Sequence, residues 1–140
     1  MKVKIDTKEK FHVISPGEPV LSANMTEELG QKLLPFLETE VKNIILKLGE
    51  VKEMDKRVAE IIFNLQQAFY ERNASFVICE IQKPVEEIFD QLELLDVLNF
   101  TPTESEAWDI VQMEEIEREL DLWGEFKVEG GKLNVEGWIW

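Results

Sequence analysis

The sequence has little of what small secreted proteins and metal-binding proteins depend on. Its 140 residues include one cysteine and one histidine. A single cysteine excludes an internal disulfide framework, and one histidine with one cysteine makes a zinc site implausible. The sequence contains no run of about 18 apolar residues, so no transmembrane helix is predicted. Residues 1–11 lack the apolar core of a signal peptide, so we expect a cytoplasmic protein.

Candidates for catalysis are also scarce. His12 and Cys79 both lie in short apolar segments, where a buried structural histidine and an inert buried thiol are expected. No glycine-rich phosphate loop is present. Aromatic residues do not alternate with basic ones, which argues against nucleic-acid binding. We therefore expect a protein without enzymatic activity, cofactor or metal, and an enzyme with an unrecognised site stays as a minor alternative.

Basic residues are fewer than acidic ones. The chain has 15 lysines and arginines and 29 aspartates and glutamates, which gives a net charge of −14. Residues 80–140 hold 17 of the acidic side chains and only 4 basic ones. Such a surface repels nucleic acids and anionic membranes. It is interpreted either as a solvated face, including the glutamates near 114–119, or as a docking surface for a basic partner.

Short apolar segments alternate with amphipathic ones along most of the chain. Strands are predicted at 1–5, 11–14, 43–48, 75–81 and 97–100, and helices at 25–37, 55–72, 83–92 and 103–120. This order indicates a single α/β domain whose mixed sheet has parallel central strands. About four helices should pack on the sheet and cover at least one of its faces.

Several local signals refine this prediction. Asn24 with Glu27, and Thr103 with Glu106, resemble capping boxes at helix starts. Pro35 should kink or end the first helix. The apolar side of the last helix is predicted to consist of Ala107, Ile110, Val111 and Ile116.

The C-terminal residues do not follow this alternation. A Gly130-Gly131 turn would pair residues 126–129 with residues 132–135 in a β-hairpin. An isolated hairpin is marginally stable in water, so it should dock through tryptophans of the tail. We predict a core domain at 1–121 and a hairpin extension at 122–140. The extension would dock on its own domain or on a second subunit, which would make a homodimer.

The most informative segment is the start of the second helix. Asp55 precedes this helix, and the next two residues are Lys56 and Arg57. The free N–H groups at a helix start favour negative charge, so two cations there cost a few tenths of a kcal/mol or more. Their position therefore indicates a role other than local helix stability.

Four local patterns resemble a STAS domain, the family of bacterial anti-sigma factor antagonists and sulfate-transporter cytoplasmic domains. They are Leu21–Asn24 before the first helix, Ile44–Leu48 in the central strand, Met54–Val58 in the following loop, and Pro84–Leu92 in the third helix. The resemblance covers roughly residues 1–120. It implies a STAS-like α/β fold and a role in regulation.

The resemblance also implies a switch that this chain lacks. In the family, a partner kinase that is itself the anti-sigma factor phosphorylates a serine in the loop before the second helix. The family's two loop serines fall on Lys56 and Arg57, and its glycine falls on Val58. Only Asp55 is retained, and no serine or threonine occurs in residues 49–72. We therefore expect no phosphorylation in this loop.

The leading hypothesis is a non-enzymatic regulatory module that binds an anti-sigma factor or a related kinase-like ATPase domain. Its expected binding residues are Ser22, Asn24, Met54, Asp55, Lys56 and Arg57. Ser22 stands where the family usually has aspartate. The alternative is a structural scaffold subunit that assembles through the C-terminal tail and the acidic face.

Overall fold

Residues 1–126 form a five-stranded mixed sheet, a small second sheet and four α-helices. The computed structural model describes residues 1–126, with side chains as far as residue 120. The strands are β1 (Val3–Thr7), β2 (Phe11–Pro16), β3 (Val20–Leu21), β4 (Asn43–Lys47), β5 (Glu53–Met54), β6 (Phe76–Cys79) and β7 (Phe100–Thr101). The helices are α1 (Thr26–Leu33), α2 (Lys56–Glu71), α3 (Lys83–Gln91) and α4 (Glu104–Phe126). The predicted order of strands and helices is confirmed, and β3 and β5 are additions to it.

The main sheet has the strand order β1-β2-β4-β6-β7. β1 is antiparallel to β2, and every other pairing in the sheet is parallel. The register places Ile14, Leu46, Ile78 and Phe100 in one row across four strands. This is the predicted sheet with parallel central strands, and the helices between the strands make the crossovers that parallel pairing requires.

The alternation of side chains along the central strands divides the core in two. Ile44 and Leu46 face the layer formed by α1, α2 and α3, whereas Ile45 faces α4. On that second face, Ala107 and Val111 of α4 pack against the sheet and are fully buried. Helices therefore cover both faces of the sheet, with three on one side and one on the other.

The predicted apolar side of α4 is wrong at Ile116, whose side chain is 56% exposed. The helix turns by about 100° per residue, so Ile116 lies roughly 140° around the axis from Val111. The positions one and two turns beyond Ile110 are Glu114 and Arg118. Their side chains bond to Tyr70 and Ser75.

Two of the expected helix-boundary signals are confirmed and one is wrong. α1 ends at Leu33, and a 3₁₀ segment containing Pro35 follows it. The N–H of Glu106 donates to Thr103 Oγ1 at 3.1 Å, as in a capping box. The Asn24–Glu27 box does not form, because the 3₁₀ turn Ala23–Met25 precedes α1 and puts Met25 at the cap position.

A polar network connects α4 to the amino-terminal ends of the parallel strands. Asn43 Nδ2 donates to the carbonyl oxygen of Lys10 at 2.9 Å and to Glu115 Oε2 at 2.7 Å. Asn43 Oδ1 accepts the N–H of Ser75 at 2.8 Å. One buried amide therefore joins two strands to the last helix.

The network continues on the neighbouring side chains. The Tyr70 hydroxyl donates to Glu114 at 2.8 Å and accepts from Asn99 Nδ2 at 2.6 Å, and burial and then Glu114 raise the pKa of Tyr70. Arg118 donates to Ser75 Oγ at 2.8 Å. The expectation that the glutamates near 114–119 form only a solvated face is therefore wrong for Glu114 and Glu115.

α4 continues beyond its predicted end at residue 120. Phe126, the first residue of the predicted hairpin, is helical in the described part of the chain. The rest of that hairpin, residues 127–140, lies outside the described residues, and the domain boundary after residue 121 stays a prediction. Within residues 1–126, no helix combines the length and apolar character needed to cross a membrane.

Candidate functional site

The candidate site lies at the carboxyl ends of the parallel strands. After β4, the chain turns at residues 48–52 and enters β5, which pairs in parallel with β3. The N–H groups of Lys52 and Glu53 both donate to the carbonyl oxygen of Pro19, at 2.7 and 3.0 Å. These bonds hold the loop before α2 against the loop before α1.

Asp55 links the same two loops a second time. It occupies the cap position of α2 with an extended backbone, but its carboxylate makes no capping bond to that helix. Instead, Asp55 Oδ2 accepts the N–H of Ala23 at 3.2 Å, and the N–H of Asp55 donates to Leu21 at 2.9 Å. Its main structural effect is therefore to join the turn before α1 to the start of α2.

The other expected binding residues differ in exposure. The Ser22 hydroxyl donates to Asn24 Oδ1 in the turn that Asp55 contacts, and Asn24 is exposed. Met54 is only 5% exposed and belongs to the core. Met54 therefore supports the loop from beneath and does not present its side chain to solvent.

Lys56 and Arg57 are exposed in the first turn of α2. Arg57 lies 3.9 Å from Glu60, and the two side chains are 64% and 53% exposed. An ion pair this open to water contributes little to stability. Lys56 makes no ion pair with the residues that the structure describes. The two cations and the helix N–H groups thus create a positive potential at the surface.

A charged cluster that the sequence analysis missed lies at the carboxyl ends of β4 and β6, on the α4 side of the sheet. Lys47 Nζ is 3.3 Å from Glu104 and 3.8 Å from Glu80, and the bond to Glu104 followed by the charge of Glu80 raises the pKa of Lys47. Glu80 has a φ of 61°, and a Cβ on Gly49 would lie 2.9 Å from its Oε1. In the sequence, this cluster could have been predicted from the charged residues that follow two neighbouring buried strands. The cluster links the ends of β4 and β6 to the start of α4.

Cys79 is fully buried against α4, and burial, followed by the charges of Glu80 and Glu104, raises the pKa of its thiol from 9.0 to about 12. The thiol therefore stays protonated and unreactive at neutral pH. We expect a disulfide reagent at pH 8 to label the native protein at least about 100-fold more slowly than the urea-unfolded protein. Equal labelling rates would contradict this burial.

His12 is a structural histidine, as the sequence predicts. Its Nε2 donates to the carbonyl oxygen of Val41 at 2.8 Å, and its Nδ1 lies 2.9 Å from the hydroxyl of Thr7. The ring stacks on Phe36 with centroids 4.1 Å apart. In the part of the chain that the structure describes, no group of three or more His, Cys, Asp or Glu side chains is arranged to hold a metal ion.

The family model of the STAS domain matches residues 2–107, and the chain belongs to this family. The matched range runs from the first strand into the start of α4. It contains all six residues of the candidate site. The resemblance seen in the sequence is therefore confirmed.

Solved structures share the same fold. A Thermotoga maritima protein described as an anti-sigma factor antagonist is similar with a TM-score of 0.72 and 18% identity, over 79% of this chain and 94% of that chain. An anti-sigma-factor antagonist domain protein from Planctomyces limnophilus has a TM-score of 0.69 and 16% identity, over 79% and 97%. The murine anion transporter Slc26a9 has a TM-score of 0.63 and 14% identity, over 76% of this chain and 18% of that chain. At these identities the likeness concerns the fold.

Proposed function

We propose that this protein is a non-enzymatic regulatory module that binds a protein partner through the start of α2 and the adjoining turn before α1. The partner is an anti-sigma factor or a related kinase-like ATPase domain, and binding takes place in the cytoplasm. Membership of the STAS family and the fold shared with anti-sigma factor antagonists support this class of function.

The observation that carries the proposal is the exposed pair Lys56 and Arg57 on a chain with a net charge of −14. These cations work against local helix stability, and the single ion pair seen for them is open to water. The loop below them is held by bonds from Asp55, Lys52 and Glu53 to the neighbouring turn. A firmly held positive surface is suited to an acidic patch on a partner.

This surface would be permanently ready to bind. The family's loop serines fall on Lys56 and Arg57, and no serine or threonine occurs in residues 49–72. A phosphate on this loop would bring negative charge, whereas the two side chains bring fixed positive charge. Regulation would then come from the supply of the partner and not from modification of this loop.

We expect Lys56→Glu with Arg57→Glu to weaken binding to the cognate kinase-like ATPase domain of the same organism by about 10- to 100-fold, because two attractive contacts become repulsive. Calorimetric titration measures the affinity, and thermal unfolding shows that the fold is intact. The matched control is Lys4→Glu with Lys8→Glu, which changes the net charge equally at two exposed positions in and just after the edge strand β1. Equal affinities for all three proteins would remove the start of α2 from the binding site.

The scaffold alternative depends on residues 122–140, most of which lie outside the described residues. Deleting them separates the two functions. The regulatory module keeps partner binding without the tail, whereas a scaffold loses self-association while its core stays folded.

A further inference from the structure

An open apolar groove of about 750 Å³ runs between α1 and α2. Leu34 and Pro35 line it on one side, and Ile61, Leu65 and Ala68 line it on the other. Leu34 leaves 42% of its side chain exposed, and Ile61 is half-buried. Ile61 packs at the margin of the core and forms part of the wall of this groove.

Gly30 in the middle of α1 lies on the same groove. Glycine is a poor helix former, and a positive φ is not the reason for it here. A Cβ built on Gly30 would meet no heavy atom within 4 Å. The described chain therefore gives no steric reason for a glycine at this position. The missing side chain leaves the backbone of α1 accessible from the groove at this position.

Charged groups mark one end of the groove. Glu27 lines it from α1, and its Oε1 accepts from Gln31 at 3.3 Å. Arg57 lies one helical turn before Ile61 on α2, so the two side chains share one face of the helix. The carboxylate of Glu27 therefore marks this end of the groove, whereas Arg57 lines the neighbouring hollow with Glu60 and Asn64. An occupant with an apolar side and a positive charge near Glu27 would complement the groove.

We propose that this groove binds the apolar face of an amphipathic helix that belongs to the protein partner. Its length fits that occupant, because the span from Thr26 to Leu34 corresponds to about 12 Å of helix, or just over two turns. The charged end of the groove adjoins Lys56 and Arg57, so the inference rests on the proposed function and extends the same surface along α2. The C-terminal tail is a less suitable occupant because it follows α4, which covers the opposite face of the sheet.

The test compares Gly30→Leu with Gly30→Ala in the full chain. The alanine variant adds one methyl group in open space, whereas leucine fills the middle of the groove, and both residues favour a helix. With the cognate kinase-like ATPase domain as the probe, we expect leucine to weaken binding at least tenfold and alanine to change it less than about threefold. Both variants should melt no lower than the natural protein. On binding, the methyl NMR signals of Ile61 and Leu34 should shift, and those of Met113 and Ile116 should not.

Every other result contradicts the groove as a binding site for the partner helix, the proposed function, or both. Unchanged binding by Gly30→Leu, with binding lost in the Lys56 and Arg57 variant, rejects the groove and leaves the proposed function standing. Unchanged binding in both variants rejects both. Self-association of the free protein that Gly30→Leu abolishes identifies a second copy as the occupant. A shift of the Ile61 methyl signal after deletion of residues 127–140 identifies the tail. Either of these last results rejects the partner helix.

Discussion

Asn43→Asp is expected to lower the free energy of unfolding by about 4 kcal/mol at pH 7. The natural amide donates to Lys10 and Glu115 and is 5% exposed. Aspartate has the same shape but offers oxygens where both acceptors need a donor. It also places a second negative charge beside Glu115, at a distance where the amide now bonds at 2.7 Å. The acceptor bond from the N–H of Ser75 alone would be kept.

The effect should depend on pH in a defined direction. Burial and the charge of Glu115 would raise the pKa of the new carboxyl in the folded state above its unfolded value. The folded state then binds a proton more tightly, so stability is regained as pH falls through that raised pKa. Urea unfolding at pH 7 and pH 5 measures this, with the exposed Asn24→Asp as the control, for which we expect a change within about 0.5 kcal/mol. If both variants lost the same free energy of unfolding, the hydrogen bonds described for Asn43 would be contradicted.

Val111→Asp should be comparably destabilising, by about 4 kcal/mol or more, because it buries an unpaired charge under α4. Val111 is fully buried between α4 and the sheet. The control is Met113→Asp on the same helix, since Met113 is 58% exposed. We expect this control to change the free energy of unfolding by less than about 0.5 kcal/mol.

Denaturant unfolding followed by tryptophan fluorescence and circular dichroism measures both variants. Trp108 is a suitable reporter because its ring lies 4.6 Å from that of Phe11 across the interface between α4 and the sheet. If Met113→Asp proved as damaging as Val111→Asp, the orientation of α4 described above would be incorrect.

Much of the fold could be predicted because the central strands are unbroken apolar segments, and strands of this kind are buried on both faces. Ile44–Leu46 and Phe76–Cys79 show this pattern, and each is followed by a segment with helical periodicity. β3 and β5 were missed because each has only two residues, too few to form a period. The prediction of which side of α4 packs on the sheet was partly wrong because apolar residues occur around most of that helix.

The residues of the candidate site could be proposed from the sequence, but neither the bonds that hold that site nor those of the Asn43 network could be predicted. The bond from Ala23 to Asp55 joins residues 32 positions apart, and the bond from Asn43 to Glu115 joins residues 72 positions apart. A short window of sequence contains only one member of each pair. The bond from Asp55 to the turn before α1 was therefore not predicted, and Glu115 was counted with the solvated charges. Met54 was counted with the binding residues although its side chain lies in the core.

The polar network around Asn43 and the loop that carries Lys56 lie at opposite ends of the same strands. If the start of α2 binds the partner as proposed, substitutions at Lys56 and Arg57 would change partner recognition and leave the contacts of Asn43 with α4 intact. Such a separation gives related chains freedom to diversify at one pole of the molecule without risking collapse at the other. In protein engineering, the same division would allow the specificity of this domain to be redesigned on an unaltered framework.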